Sequence, residues 1–517
     1  MQGYGIRLLP AMLTVGSWTM LSRVLGLARD VAMAAFLGAG PVAQAFLIAF
    51  SLPNMFRRFF AEGAFNLAFV PMFARKLESG DDAPEFARDA FAGLAAVLVA
   101  FTLLGQIIMP WLVLAMASGF VGDERFDLAV LYGRIAFPYI LFVSLTALLS
   151  GVLNATGRFA LAAGVPSLIN VVLIAALLGG VAAGGDLGVW MSWGLTVSGV
   201  LQLGLMWWGA SAAGLKLGLR WPRMTPELRR LARIMGRAVL AGGVVQVNLL
   251  VGRQVGSFFD GAVAWLSYAD RLYQLPLGVV GAAIGVVLLP DLSRRLGAGA
   301  AAGGRDAVNR AAEFTLALTL PAAVALVLIP GPIVSVLFQR GAFTEADAAA
   351  TALAVAIYGA GLPAFVLQKV VSPLYYARHD TRSPFRFAVH AMIVNAVVAV
   401  GLAPVIGFSA AALGTTLAGW VMLLQLWRGA AGMGDAAAPD ARLLRALPRI
   451  AAACLAMAGV LAALRVALAG ALAAPDWRYL ALAALVAAGM ASYAAAVLAF
   501  GGLRPADIRA ALRRGGG

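Results

Sequence analysis

The chain has 517 residues, of which 62% are hydrophobic and only 12% are charged, and its mean hydropathy is +0.89. Soluble proteins carry about 25% charged residues, so this composition excludes an ordinary soluble domain and indicates a membrane protein. The formal net charge of +15 would indicate a nucleic-acid partner only if the basic residues formed one patch.

Apolar runs long enough to cross a bilayer recur along the whole chain, separated by short polar breaks. Because a spanning helix needs about 20 apolar residues, we predict an all-α polytopic membrane protein of about fourteen transmembrane helices. Arg23 and Arg29 interrupt the first run, and no small-residue cleavage site follows it, so we expect a retained span rather than a signal peptide. The predicted spans are 8–37, 42–73, 86–117, 127–154, 159–183, 187–212, 230–257, 262–294, 307–338, 346–376, 384–405, 409–428, 443–472 and 477–501.

The loops between these spans indicate which side of the membrane each one faces, because cytoplasmic loops are enriched in Lys and Arg. Of the 39 Lys and Arg residues, 27 lie in the N-terminal segment, in alternate loops and in the C-terminal tail, and 9 lie inside predicted helices. The opposite loops hold only Arg125, Arg340 and Arg478. We therefore predict that both termini are cytoplasmic. The basic surplus is spread over many segments, which excludes a nucleic-acid interface.

The segment 216–237, KLGLRWPRMTPELRRLARIMGR, precedes the seventh predicted span and is rich in arginine. We predict that it lies as an amphipathic stretch on anionic headgroups, which makes membrane lipids one partner of the chain.

Three sequence matches indicate two parallel halves. The stretches around Pro138 and Pro363 match at an offset of 225 residues, and so do those around Asn170 and Asn395. The ends of the second and eighth spans, VPMFARKL and LPDLSRRL, match at an offset of 219. We predict two six-helix lobes plus two C-terminal helices. The boundaries are 1–215 for the N-terminal lobe, 216–430 for the C-terminal lobe, and 431–517 for the additional helices with a basic cytoplasmic tail.

Charged residues inside apolar sequence mark the stretch 22–65 as a candidate site. An Arg at the bilayer centre costs about 2.5–3.5 kcal/mol, so such residues normally face a water-filled, protein-lined cavity. On the first helix, Arg23 and Asp30 are seven residues apart and share one face, whereas Arg29 lies about 120° away from Arg23. Both arginines enter one cavity only if it is wide or the helix bends.

On the second helix, Arg58 and Glu62 have the i,i+4 spacing of an ion pair, and Asn54 is placed to meet Arg57 or Arg58. If Glu62 neutralises Arg58, then Arg57 is the freer cation. In the second half, Asp270 and Arg271 lie near the start of the eighth helix, Arg253 lies in the seventh and Lys369 in the tenth.

Asp270 and Arg271 are adjacent, and adjacent residues on a helix diverge by about 100°, so we do not expect them to pair with each other. An internal salt bridge is the alternative role for each intramembrane charge. Cations outnumber the carboxylates inside the helices, however, so several should lack a protein partner. Nearly all of them are arginine, whose planar fork binds phosphate oxygens and stays charged when desolvated. The sequence thus favours an anionic, phosphate-bearing substrate.

Enzyme chemistry finds no support in the sequence. The two histidines, His379 and His390, have no carboxylate constellation beside them, and Cys454 is the only cysteine. The chain contains no P-loop and no dinucleotide-binding glycine motif, so we expect a transporter that hydrolyses no ATP and needs no cofactor or metal.

The motifs SRVLGLARD (22–30), LPNMFRRFFAEGAFNLAFVP (52–71), FPYILFVSL (137–145) and YADRLYQLPLGVVGAAIGVVLLP (268–290) closely resemble the MurJ (MviN) family. Its members are bacterial lipid II flippases of the multidrug/oligosaccharidyl-lipid/polysaccharide exporter superfamily. The resemblance implies an inner-membrane protein for peptidoglycan synthesis, with a cationic central cavity and a groove along the last two helices for the polyprenyl tail. It extends from about residue 8 to about residue 430 and is weaker beyond.

The resemblance also implies roles for particular residues. The family's cavity arginines correspond to Arg23, Arg29, Arg57 and Arg271, which would bind the diphosphate and the sugar-peptide head. The residues expected to support or gate the cavity are Asp30, Asn54, Arg58, Glu62, Asp270 and Lys369.

Two departures from the family pattern bear on the energy source. Gln44 replaces a common acidic residue, and Gly252 stands where some members have a sodium-binding Asp. Coupling to a monovalent cation and coupling to the membrane potential therefore both stay open.

Two other functions remain as alternatives: export of a different lipid-linked oligosaccharide or a drug, and a non-transporting scaffold for cell-wall synthesis proteins. A cationic cavity disfavours cationic drugs, but it does not distinguish one diphosphate lipid from another.

Overall fold

The computed structural model describes residues 8–57, 64–214, 218, 220–283, 301–378, 380–433 and 438–503. Within these ranges every regular element is an α-helix or a short 3-10 helix, which confirms the all-α class. Ten helices of this described part are long and apolar enough to cross a membrane. The predicted spans missing from these ten are 8–37, 42–73, 230–257 and 262–294, which contain most of the predicted cavity charges.

The chain forms two compact units, Met1–Ala264 and Trp265–Gly517. The helices of the first unit are α1 (Leu8–Leu37), α2 (Pro41–Arg57), α3 (Ala64–Ser79), α4 (Ala83–Ile107), α5 (Met109–Met116), α6 (Glu124–Ala136), α7 (Tyr139–Ala155), α8 (Phe159–Gly164), α9 (Leu168–Ala183), α10 (Leu187–Ala212) and α11 (Pro226–Ser257).

Helix α12 (Ala262–Ala283) begins at the end of the first unit and continues into the second. The other helices of the second unit are α13 (Ala301–Leu328), α14 (Pro330–Phe338), α15 (Glu345–Tyr376), α16 (Arg382–Ile406), α17 (Ser409–Ala431), α18 (Ala441–Ala467), α19 (Ala469–Ala473) and α20 (Arg478–Ala499).

Several predicted spans are made of two helices, and proline lies at most of the breaks. Pro110 follows the break between α4 and α5, Pro138 precedes α7, and Pro330 opens α14. Proline lacks the backbone N–H that a continuing helix needs, and its ring clashes with the preceding turn. Apolar periodicity alone therefore placed the spans correctly but missed these breaks.

Helix α11 packs within the first unit, against α3, α4, α5 and the 3-10 turn Ser118–Phe120. The boundary between the two compact units falls after α11, between Ala264 and Trp265. The three-part division predicted from the sequence repeat, 1–215, 216–430 and 431–517, stays a prediction.

The same interhelical hydrogen bond occurs once in each unit. Thr196 on α10 donates its hydroxyl to the carbonyl oxygen of Ile135 at 2.6 Å, and Thr416 on α17 donates to Ile357 at 2.8 Å. The donors are 220 residues apart and the acceptors 222. Close helix contacts of this kind are typical of membrane proteins, where small hydroxyl residues hydrogen-bond across helices. The recurrence supports the duplication predicted from the sequence.

The last helices are fastened to α13 inside the second unit. Glu313 is 3% exposed and accepts hydrogen bonds from Arg310 and Arg442, and Arg310 also pairs with Asp440, which caps α18. Farther along, the hydroxyl of Tyr493 on α20 donates to the carbonyl oxygen of Ala317 at 2.6 Å. A buried charge is tolerated only when paired, so this network fixes how α18 lies on α13.

Candidate functional site

Two charged residues of α1, Arg29 and Asp30, form a buried ion pair. Arg29 is 5% exposed and Asp30 is 6% exposed. Arg29 donates from Nε at 2.9 Å and from Nη2 at 2.6 Å to the same oxygen, Oδ1 of Asp30. The face of the Phe50 ring lies 5.2 Å from the guanidinium carbon. The charge of this buried arginine is therefore paired with a carboxylate and stacked on an aromatic face in the described conformation.

This pair corrects one step of the sequence analysis, which grouped Arg29 with the cations that lack a protein partner. The angle between adjacent residues describes the Cα–Cβ directions only. Arginine has a long side chain, and it bends round the helix to reach a neighbour that points elsewhere. The same holds for Asp270 and Arg271: their adjacent positions on a helix do not prevent their side chains from pairing.

The structure adds Asn170 to this site, a residue not predicted to have a functional role. It lies on α9, which packs against α1, and it is 5% exposed. Its Oδ1 accepts a hydrogen bond from Nη1 of Arg29 at 3.1 Å, and its Nδ2 donates to the carbonyl oxygen of Ser22 at 3.1 Å. A lone amide in the apolar run LINVVLIAALLGGVAA was the sequence signal that could have identified it.

The other predicted residues of the first unit are placed as follows. Arg23 on α1 and Arg57 at the end of α2 are partly buried. Asn54 donates its amide to the carbonyl oxygen of Phe50 at 2.8 Å, one turn earlier on α2. Arg58 and Glu62 lie outside the described residues, so their predicted pairing stays a prediction.

Arg253 connects α11 to α2. Its Nη1 donates to the hydroxyl of Ser51 and lies 3.4 Å from the carbonyl oxygen of Leu47. One of the intramembrane cations thus joins the seventh predicted span to the second one.

The predicted residues of the second unit are Asp270, Arg271 and Lys369, on α12 and α15. Asp270 and Arg271 are partly buried, and Gln274, one turn on, donates its amide to Asp270. A cavity shared by Arg271 and the arginines of the first unit stays a prediction.

A second polar cluster of the first unit surrounds Arg125, which is 7% exposed. Its guanidinium donates to Asp123 at 2.7 Å, lies 3.1 Å from Oδ1 of Asp260 and 3.4 Å from Oε1 of Gln44, and stacks over Phe120. The hydrogen bonds from the Arg125 side chain hold the pKa of the Asp123 carboxyl below its usual value, although partial burial acts in the opposite direction. The asymmetry of Lys and Arg between the loops predicts that this cluster lies on the extracytoplasmic side, and this orientation stays a prediction.

The same end of α11 is joined to the turn Ser118–Phe120. The backbone N–H of Ser118 donates to Oε1 of Gln254 at 3.0 Å, and that of Gly119 donates to the hydroxyl of Ser257 at 3.0 Å. A Cβ atom on Gly119 would lie 2.6 Å from the backbone of Ser257. Only glycine permits this close approach.

The structure changes the interpretation of the segment 216–237. From Pro226 onward it is the beginning of α11 itself, capped by the hydroxyl of Thr225. Leu228 and Leu231 are buried, and a Cβ on Gly93 of α4 would lie 2.8 Å from Leu228. The leucines of these turns therefore pack on protein, where Gly93 on α4 leaves room for Leu228, and are not available as the apolar face of a surface-lying amphipathic stretch.

Ion pairs with α3 and α4 hold the start of α11 and the segment just before it in place. Lys76 lies 3.6 Å from Glu227, and Arg220 lies 3.3 Å from Glu85 and also pairs with Asp89.

In the residues that the structure describes, no group of three or more His, Cys, Asp or Glu residues could hold a metal ion.

Comparison with known proteins gives consistent matches. A family model described as "Lipid II flippase MurJ" matches residues 33–487. A probable lipid II flippase MurJ of Rhizobium meliloti (strain 1021) is 43% identical over 517 residues, covering 97% of this chain and 96% of its own length. That of Rhizobium tropici is 46% identical over 422 residues, covering 80% and 79%.

Solved structures share the fold. A lipid II flippase MurJ in an inward closed conformation has a TM-score of 0.78 at 24% identity and covers 94% of this chain and 98% of its own. An inward-facing multidrug resistance MATE family transporter of the MOP superfamily has a TM-score of 0.65 at 14% identity, covering 82% and 98%.

Proposed function

This chain belongs to the lipid II flippase MurJ family, and we propose from that membership that it carries lipid II from the cytoplasmic to the periplasmic leaflet by alternating access. It is a transporter rather than an enzyme. The observation that carries the proposal is the match to the MurJ relative from Rhizobium meliloti along nearly the whole of both chains. The transported lipid II would be the lipid-linked precursor that cell-wall synthesis consumes at the outer surface.

We assign recognition of the substrate diphosphate to Arg23, Arg29, Arg57 and Arg271. Arginine binds phosphate oxygens through a planar fork, and these helices carry more cations than carboxylates. In the described conformation Arg29 gives two of its N–H groups to Asp30. We propose that phosphate oxygens bind the Nε and Nη2 edge of Arg29 by replacing Oδ1 of Asp30. This exchange keeps the buried guanidinium paired at every stage.

Alternating access is supported by membership of the MurJ family, and the contacts of α11 indicate which part of the chain this helix would move with. The extracytoplasmic end is joined to Ser118, Gly119 and Arg125, and the cytoplasmic end to Lys76. All of these contacts lie inside the first unit. We therefore expect α11 to move together with that unit during the transport cycle.

The cellular setting follows from the topology. We place the chain in the bacterial cytoplasmic (inner) membrane with both termini in the cytoplasm, supported by the asymmetry of Lys and Arg between alternate loops. Membrane lipids and cell-wall synthesis proteins are proposed as further partners.

Depletion of the protein tests the transport function against the scaffold alternative. Lipid II reachable at the outer leaflet is measured in intact spheroplasts before and after depletion. Accessibility should fall in step with the amount of protein, and unchanged flipping would overturn the transport function.

The variant Arg57→Ala tests the cavity assignment in the same assay. A hydrogen bond to a charged group contributes about 1.5–3 kcal/mol, so the flipping rate should fall about 10- to 100-fold at unchanged abundance. The matched control is Arg445→Ala, an exposed arginine on the first turn of α18 whose Nε contacts the backbone of its own helix. Equal activity of the two variants would show that Arg57 does not bind the substrate.

A further inference from the structure

Asn170 is the sole polar side chain of α9, and it is buried. An amide costs free energy in an apolar span unless its groups are hydrogen-bonded. Here both of them are, and both partners lie on α1: Nη1 of Arg29 and the carbonyl oxygen of Ser22, each at 3.1 Å. One amide group thus bridges a cationic side chain and the backbone of the helix that carries it.

We propose that Asn170 is a positioning residue for lipid II, which holds the Arg29 guanidinium in place while the substrate diphosphate exchanges with Asp30. This inference rests on the proposed function, because it assigns the ligand of Arg29. The two partners of Arg29 differ in kind: Asp30 takes Nε and Nη2, the edge that a phosphate would occupy, whereas Asn170 takes Nη1. Only the contact with Asp30 needs to break when phosphate binds.

The geometry explains why this residue is an amide. Ser22 and Arg29 are seven residues apart, so their backbones are separated by about 10 Å along the helix axis. Both contact the same amide group, and the Arg29 side chain must therefore extend back along α1 towards the turn of Ser22 and Arg23. Side chains on a helix lean towards its N-terminus, which favours this course. This course brings the Arg29 guanidinium towards the turn that carries Arg23 without a bend of the helix.

Charge gives a second reason. A neutral amide adds a hydrogen bond to Arg29 without neutralising it, so the cation regains its full charge when Asp30 releases it. A second carboxylate at this position would compete with the substrate permanently. Asn170 therefore holds the guanidinium in position without neutralising the positive charge that attracts the diphosphate.

A double-mutant cycle on the full-length protein tests the inference. Lipid II affinity is measured for the wild type, Asn170→Ala, Arg29→Ala and the double variant, each purified in nanodiscs. Asn170→Ala should bind lipid II about tenfold more weakly, which is the loss of one hydrogen bond to a charged group. In the Arg29→Ala background the same change should have no further effect, because a residue that acts through Arg29 has nothing left to position.

The control is Thr196→Val, which removes the hydrogen bond from α10 to Ile135 in the same unit and does not touch α1. Lipid II affinity should stay within about twofold of wild type, even if the melting temperature falls as much as in Asn170→Ala. If Asn170→Ala does not accumulate, Asn170→Ser enters the cycle in its place, since its shorter hydroxyl cannot bridge both partners.

The outcomes separate the two proposals. Wild-type protein that does not bind lipid II overturns the proposed function, and this inference with it. Wild-type binding combined with an unaffected Asn170 variant, or with equal losses in both backgrounds, overturns the positioning role alone.

Discussion

At the scale of single residues, Arg29 and Asp30 form a buried ion pair. Under the proposed function, the carboxylate of Asp30 and the diphosphate of the substrate compete for the Arg29 guanidinium. The side chains of both residues are less than one-tenth exposed, so neither charge is well solvated. Removing one partner of a buried pair costs about 3–5 kcal/mol, because the other charge is left in a poorly solvated place. A diphosphate that supplied the missing negative charge would recover part of that cost.

The variant Asp30→Asn should therefore be less stable without ligand and should bind lipid II more tightly than wild type. The loss of stability is expected to be about 3 kcal/mol, and added ligand should raise the melting temperature by more than it does in wild type. Thermal unfolding with and without lipid II measures both effects. Weaker binding by the variant would contradict the exchange of phosphate for Asp30.

Asp123 provides a pH dependence outside the membrane-spanning segments. Its pKa is lowered in the folded protein, chiefly by its hydrogen bonds with Arg125. A group with a depressed folded pKa contributes stability above its unfolded pKa, and that contribution disappears as the pH falls through the folded value. Because this side chain is 40% exposed, solvent screening limits the contribution to at most about 1 kcal/mol.

We accordingly expect wild type to be more stable than Asp123→Asn at pH 7, and the difference to shrink below about pH 4, the usual range of an Asp pKa. Denaturation of the two proteins at a series of pH values between these limits measures the difference. A difference in stability between the two proteins that grew as the pH fell would contradict a lowered pKa of Asp123 in the folded protein.

At the scale of elements, α11 is held by Gly119. Its N–H donates to Ser257, and a Cβ in its place would meet the backbone of that residue at 2.6 Å. A backbone cannot give way as a flexible side chain can. The variant Gly119→Ala should push the turn Ser118–Phe120 off α11, lower stability by about 1–3 kcal/mol and favour opening on the extracytoplasmic side.

The reporter for this opening is the substitution Ser118→Cys, labelled by a membrane-impermeant thiol reagent. The native Cys454 is buried, which keeps the background low. Labelling should rise in the Gly119→Ala background. The matched control is Gly204→Ala on α10, where an added Cβ has no atom within 4 Å. The same labelling in both backgrounds would exclude this contact as an extracytoplasmic closure.

The positions of the helices were largely predictable from the sequence, because the described part of each predicted span is one helix or two consecutive helices. Residues 58–63 and 284–294 of two predicted spans lie outside the described ranges. Hydropathy depends on local composition, and the bilayer makes composition decisive. The site was only partly predictable. Arg29 was identified by its charge, but its link to Asn170 joins residues 141 apart in sequence. Spacing rules describe one helix at a time, so they could not supply contacts between helices.

The placement of α11 shows the same limit. Its length and apolar character were visible in the sequence, whereas its packing in the first unit depends on Gly93, Gly119 and their partners on other helices. The repeat offsets in the sequence place α11 in the second half of the predicted duplication. Packing assigns it to the first unit, and packing determines which parts can move together.

At the scale of the whole molecule, we propose that the membrane potential is the energy source, because the cargo of the proposed function is an anion. A diphosphate carries about two negative charges at neutral pH, and each elementary charge that crosses the membrane gains about 2.3 kcal/mol per 100 mV. The cytoplasm is the negative side, so the field drives this anion outward. Gln44 is neutral and accepts a hydrogen bond from Arg125, and Gly252 has no side chain to bind a cation. These positions favour the membrane potential over cation coupling.

Right-side-out membrane vesicles allow the two sources to be varied separately. A potassium diffusion potential, negative inside, should accelerate the appearance of lipid II at the outer surface several-fold, and valinomycin with equal potassium on both sides should remove the acceleration. Replacing sodium by choline at a fixed potential should leave the rate unchanged, because the positions of Gln44 and Gly252 provide no carboxylate for the ion. A rate that followed sodium at constant potential would instead identify a monovalent cation as the driver. Its ligands would then have to be sought elsewhere in the chain.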